Sequence, residues 1–158
     1  MKKELSYEQA VARFEALCSR SEHCTNEIRA KMEKLGFSAP DIEKALAHLV
    51  KEKYIDNNRY SLAFCKDKLR YCHWGRIKIR QALCLQRLTE EEILYGMDGL
   101  DEEEYHSALS RLLERKLRQA KGLDDYSAIG KAVRYAASCG FEADLAFSEA
   151  KRLVREEY

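Results

Sequence analysis

The chain matches itself at an offset of 51 residues. Ile28-Arg29 falls on Ile79-Arg80, Ile42 on Ile93, Leu46 on Met97, Leu49 on Leu100 and Tyr54 on Tyr105. The matched apolar positions recur at helical spacing, so the buried face of one helix pair is used twice. A second echo joins Leu35-Gly36-Phe37 to Cys139-Gly140-Phe141, each a helix stop followed by a new start. A helix triplet of this size buries little apolar area alone and gains by stacking on its neighbours. The expected fold is therefore all-α, with three tandem three-helix repeats over residues 1–56, 57–101 and 102–158 forming an elongated, curved array. One proline and seven glycines in 158 residues agree, since a strand-rich chain would draw more heavily on both.

Local signals place the helices. Thr25 is read as an N-cap with Glu27 in the first turn, and Gly36 as the left-handed stop after Leu35. Ser38 opens the third helix, with Pro40 in its first turn, and that helix runs to about Tyr54. In the second repeat, helices are expected over 59–71 and 76–86, and a third opens on the capping box Thr89/Glu92. The last repeat reads as helices over 102–121, 126–138 and 143–155, punctuated by Gly122 and Gly140.

Charge is unevenly placed along a chain whose formal net charge is +1. Between Arg59 and Arg87 lie eight cations against Asp67 alone, a segment expected to face something anionic. Lys66 and Arg70 share one helix face, and Arg76 and Arg80 another, while Ile77, Ile79, Ala82 and Leu83 are assigned to the core. Trp74 and Gly75 sit at the turn between these helices. Gly75 is read as permitting a tight or left-handed turn, and Trp74 as an anchor between the helices in preference to a base-stacking platform. Tyr60, Phe64 and Tyr71 are spaced as a core stripe. An acidic stretch follows from Glu90 to Glu104, and then Arg111, Arg115, Lys116, Arg118 and Lys121. That last cluster fits either a ligand surface or the ordinary preference of cations for helix C-termini.

No nucleophile, phosphate-loop, zinc-protease or calcium-loop motif is present, and the four histidines are dispersed, so no catalytic residue, cofactor or metal ligand is assigned. The six cysteines form no CxxC pair, and the segment Met1 to Ala10 lacks an apolar secretory stretch. Reduced thiols in the cytoplasm are expected, with no membrane association. A monomer is expected too, because no heptad seam persists.

The residues Tyr54-Ile55-Asp56-Asn57-Asn58-Arg59-Tyr60, Ala63-Phe64, Lys68, Trp74-Gly75, Lys78-Ile79-Arg80 and Leu83 together resemble the central signature of the RecX family, regulators of the bacterial RecA recombinase. Leu35-Gly36-Phe37 with Ile42, and Gly140-Phe141, extend the resemblance to both flanking repeats. The sequence departs from the family after Arg80, where Leu85-Gln86-Arg87-Leu88 stands in place of a glycine stop. The resemblance implies a protein without an active site that lies along the RecA–DNA filament and alters its assembly, ATP hydrolysis and strand exchange. It carries over Lys68, Lys78 and Arg80 as contact residues; Lys66, Arg70 and Arg76 join them on the charge argument alone. Single- or double-stranded DNA is a further partner, and a stand-alone nucleic-acid-binding helical module is the alternative function.

Overall fold

The computed structural model describes residues 5–156, and those residues form nine helices and no strand. The helices are α1 (Tyr7–Arg20), α2 (Thr25–Lys34), α3 (Ala39–Lys51), α4 (Asn57–Cys72), α5 (Arg76–Leu85), α6 (Glu90–Asp98), α7 (Glu102–Gln119), α8 (Asp125–Ser138) and α9 (Ala143–Glu156). Short polar side chains set most of the starts: Ser6, Ser38, Asp56, Thr89, Asp101 and Asp124 each accept the backbone N–H three residues on. Helix α5 starts on Gly75, with no side-chain cap. The N-cap of α2 is Cys24, whose N–H is bound by Glu27, while Thr25, expected as the cap, is the first helical residue and donates its N–H to Asn57 Oδ1 at 3.1 Å.

Contacts run along the chain. Helix α3 packs on α1 and α2, α6 on α4 and α5, and α7, α8 and α9 on one another, with α4 reaching α7. The small residues Ser61 and Gly96 allow α4 and α6 to cross closely, since a Cβ at Gly96 would run into Ser61. Residues at both ends of the 51-residue match are buried: Ile28 and Ile79, Ile42 and Ile93, Leu49 and Leu100. The accessible surface is 9750 Å², about a fifth above the roughly 8,200 Å² of a compact monomer of 18.4 kDa, so the body is more open than a sphere.

Two cores result. One is built of Phe14, Ile28, Met32, Ile42, Leu46, Leu49 and Ile55. The other is continuous from α4 to α9 through Leu69, Ile79, Leu83, Tyr105, Leu109, Leu113 and Phe141. The boundary beside the first core is mostly polar: Arg59 holds Glu22 at 2.5 Å, Asn26 holds Gln86 at 3.0 Å, and Asn57 and Thr25 bond each other twice. Phe14 and Ile79 occupy separate interiors joined by a hydrogen-bonded seam.

One turn and two helix side chains differ from their sequence reading. Gly75 has φ −87°, and the left-handed residue of its turn is His73, at φ 59°. The glycine serves close approach instead: a Cβ there would collide with the backbone of Gly140 and Phe141. Without one, Gly75 N–H donates to Cys139 O and Ile77 N–H to Gly140 O, each at 2.9 Å. After α5, where the family glycine is missing, Arg87 itself adopts φ 62°. Tyr71 is 75% exposed and Ile77 47%, so neither belongs to the core to which spacing assigned it; Ile79 and Leu83 carry that face.

Candidate functional site

The α4–α5 turn brings together Lys68, Trp74 and Lys78. Lys68 lies about one turn inside the C-terminus of α4, and Lys78 in the first turn of α5. The two ammonium groups each stand 4.7 Å from the centroid of the Trp74 ring. Lys68 is also 5.3 Å from the Phe64 ring and 4.0 Å from the Cys72 sulfur. The indole fastens the turn to the core beneath, as expected, and in addition gives both lysines a π face that favours their charge. Neither lysine is in an ion pair among the described residues. Two like charges on one ring repel each other, and an anion bridging them is attracted to both, so the turn is arranged to receive negative charge.

The three arginines of the expected site are engaged differently. The basic segment does have an opposing acidic set: the stretch from Glu90 to Glu104 folds back upon it. Arg80 Nη1 binds both oxygens of Glu90 at 3.0 Å, and Arg70 binds Glu104 in a fork at 2.6 and 3.2 Å. That fork holds the Glu104 carboxyl below its ordinary pKa. Arg76 binds Glu102 at 2.7 Å and Glu142 at 3.1 Å, with its guanidinium 3.8 Å above the Tyr105 ring. Lys66 forms no ion pair among the described residues, and its charge adds to the field at Glu104. The six residues are therefore not one uniform cationic face. Lys66, Lys68 and Lys78 keep their charge available, whereas Arg70, Arg76 and Arg80 have carboxylate partners within the chain.

Arg76 belongs to a lock between α5, α7 and the start of α9. Its backbone N–H donates to the Tyr105 hydroxyl at 3.0 Å, and that hydroxyl donates to Glu142 Oε1 at 2.5 Å. Burial pushes the Tyr105 phenol well up. Burial alone would also raise Glu142, but hydrogen bonds from Tyr105, the backbone and Arg76 outweigh it and leave the carboxyl below its ordinary value. The sequence marked Tyr105 through its match with Tyr54 and marked Gly140-Phe141 as a helix restart. No spacing rule points to Glu142, which lies 66 positions from Arg76.

Fold and surface together define a class: an all-helical protein of packed helix triplets with a cationic, aromatic-lined turn near its middle. No family model matches the chain. It is 29% identical over 134 residues to Regulatory protein RecX of Clostridium perfringens (strain 13 / Type A), an alignment covering 84% of this chain and 62% of the relative. It is 27% identical over 128 residues to Regulatory protein RecX of Vibrio parahaemolyticus, with 81% of each chain covered. A crystal structure of RecX from Lactobacillus salivarius superposes with a TM-score of 0.84 at 12% identity, over 93% of this chain and 96% of that one. In sequence and in fold the chain is similar to proteins of the RecX family. It spans about three fifths of the length of the clostridial relatives.

Proposed function

We propose that the chain is a regulator of a RecA-type recombinase, binding the recombinase–DNA filament and modulating its assembly, ATP hydrolysis and strand exchange, and through these DNA repair, recombination and the SOS response. Similarity to proteins named Regulatory protein RecX supports this reading, and the observation that carries it is the Lys68–Trp74–Lys78 turn. Two unpaired ammonium groups on a fixed ring suit an acidic patch of a protein polymer or a phosphate within it. The action is one of binding, with no catalytic step and no cofactor. The three repeats at 1–56, 57–101 and 102–158 form the curved body that follows the filament, as a monomer in the cytoplasm, alongside the recombinase. No described helix is long and apolar enough to cross a membrane.

The test is the DNA-dependent ATPase of the cognate recombinase, with cosedimentation alongside. The protein is expected to change the turnover rate and to sediment with recombinase filaments. Lys68→Gln with Lys78→Gln is expected to weaken both effects at least ~10-fold, the loss of two charge-pairing groups at about 1 kcal/mol each, with helicity unchanged. Tight binding to DNA accompanied by indifference to the filament would refute the proposal.

A further inference from the structure

The lysines and arginines of α7 and α8 take no part in the ion pairs described above. Among the described residues, Arg111, Arg115, Lys116, Arg118 and Lys121 are in no salt bridge, and neither are Lys131 and Arg134 of α8. A cleft of about 360 Å³ lies between the end of α7 and the outer face of α8, lined by Lys116, Gln119, Ala120, Lys131, Arg134 and Tyr135. Three of those side chains are cationic and none is acidic. Lys116 Nζ is held 3.9 Å from the Tyr135 ring centroid and 3.2 Å from Gln119 Oε1. The Arg134 guanidinium lies back along α8 over Gly130, coming within 3.4 Å of where a Cβ would stand.

The helix macrodipole accounts for Lys116, near the C-terminus of α7. It does not account for Lys131 or Arg134, since no basic residue lies in the last turn of α8. Those two are three residues apart on one face of α8, and the hairpin adds Lys116 from the facing helix. Like charges gathered without a carboxylate raise each other's energy, and a ligand with several negative groups relieves all of them together. A guanidinium fork and two flexible ammonium groups match the oxygens of successive phosphates.

We propose that the α7–α8 cleft binds the phosphodiester backbone of a nucleic-acid strand, through Lys116, Lys131 and Arg134, independently of any recombinase. The site is distinct from the Trp74 turn. It extends the function proposed above by giving the nucleic acid a surface of its own, and an assay without recombinase keeps the two proposals apart.

The experiment is fluorescence anisotropy with a labelled single-stranded oligonucleotide over a series of salt concentrations. Each phosphate-binding cation accounts for about 0.7 of the slope of log K against log salt, so Lys116→Gln/Lys131→Gln/Arg134→Gln is expected to lower it by about 2. Lys131→Gln/Arg134→Gln alone, confined to α8, is expected to lower it by about 1.4. An unaltered slope in the α8 double variant overturns the proposal, as does displacement of the oligonucleotide by millimolar inorganic phosphate, which would mark a site for small anions.

Discussion

Replacing Arg76 by alanine separates a structural role from a binding role at the position where charge patterning and geometry disagree most. The Arg76 side chain is 21% exposed and bonds two carboxylates, and it also covers the Tyr105 ring. Hydrogen bonds to charged groups contribute about 1.5–3 kcal/mol each when buried. Glu102 is 83% exposed, so solvent reduces its pairing to a few tenths at most, and Glu142, at 27%, carries most of the effect. The guanidinium on Tyr105 adds about 0.5–1 kcal/mol. Alanine is thus expected to cost about 2–3 kcal/mol, which at about 2–4 °C per kcal/mol for a chain of this size lowers Tm by roughly 5–10 °C. Thermal unfolding followed by circular dichroism reads this directly. Adding Glu142→Gln should recover part of the loss, because it removes the half-buried carboxylate left without its cation. A Tm within about 1 °C of the parent, together with a loss of the effect on recombinase turnover, would refute the lock and return Arg76 to the contact surface.

Other perturbations test the turns and the acidic side chains. Gly75→Ala places a Cβ against the backbone of Gly140 and Phe141 and strains two interhelical hydrogen bonds, so a loss of about 2–4 kcal/mol is expected, with faster amide exchange at Gly75 and Ile77. An unchanged exchange rate there would show that the contact yields at no cost. Arg87→Gly relieves a left-handed residue at φ 62° and is expected to stabilise by about 1 kcal/mol, read as a higher urea midpoint; Arg87→Ala should bring no such gain. Acidification reaches Glu104, held low by the Arg70 fork, Glu149, held low by Arg152, and Glu142, where the Tyr105 and Arg76 bonds outweigh burial. A depressed folded pKa adds stability that is complete above the unfolded value of about 4.3 and is lost as pH falls through the folded values. The urea midpoint should therefore hold from about pH 7 to about 5 and decline below about 4.3; a flat midpoint down to about pH 3 would contradict these ion pairs.

Helix content was legible because it rests on local chemistry. Ser38, Thr89 and Gly36 act within three or four residues of themselves, and the structure places caps and stop where the sequence put them. Thr25 is not the cap: its hydroxyl accepts from Asn57 Nδ2, 32 residues away, and Cys24 takes the position. Gly75 departs from its sequence reading for a related reason: a glycine kept for φ and one kept for close approach look alike until the neighbouring backbone is known, and here that backbone lies at Gly140. Tyr71 and Ile77 fell on helical spacing yet face outward, since periodicity gives a stripe and packing decides its width.

Charge was the least legible quantity, because its meaning depends on what faces it. Lys78 and Arg80 are two residues apart on one helix, equal in sign and both part of the family signature. Folding pairs Arg80 with Glu90, ten residues on, and sets Lys78 against Trp74. A net count along the segment treats the two as equivalent, whereas an incoming anion has to displace a carboxylate at Arg80 and meets none at Lys78. The same reasoning reverses the rank of the third-triplet cations. Lys131 and Arg134 stand amid a weaker local excess of charge than the middle segment, yet no acidic side chain lines the cleft they share with Lys116. Anion binding follows the cations that folding leaves unpaired, which divides the positive surface between the Trp74 turn and the α7–α8 cleft.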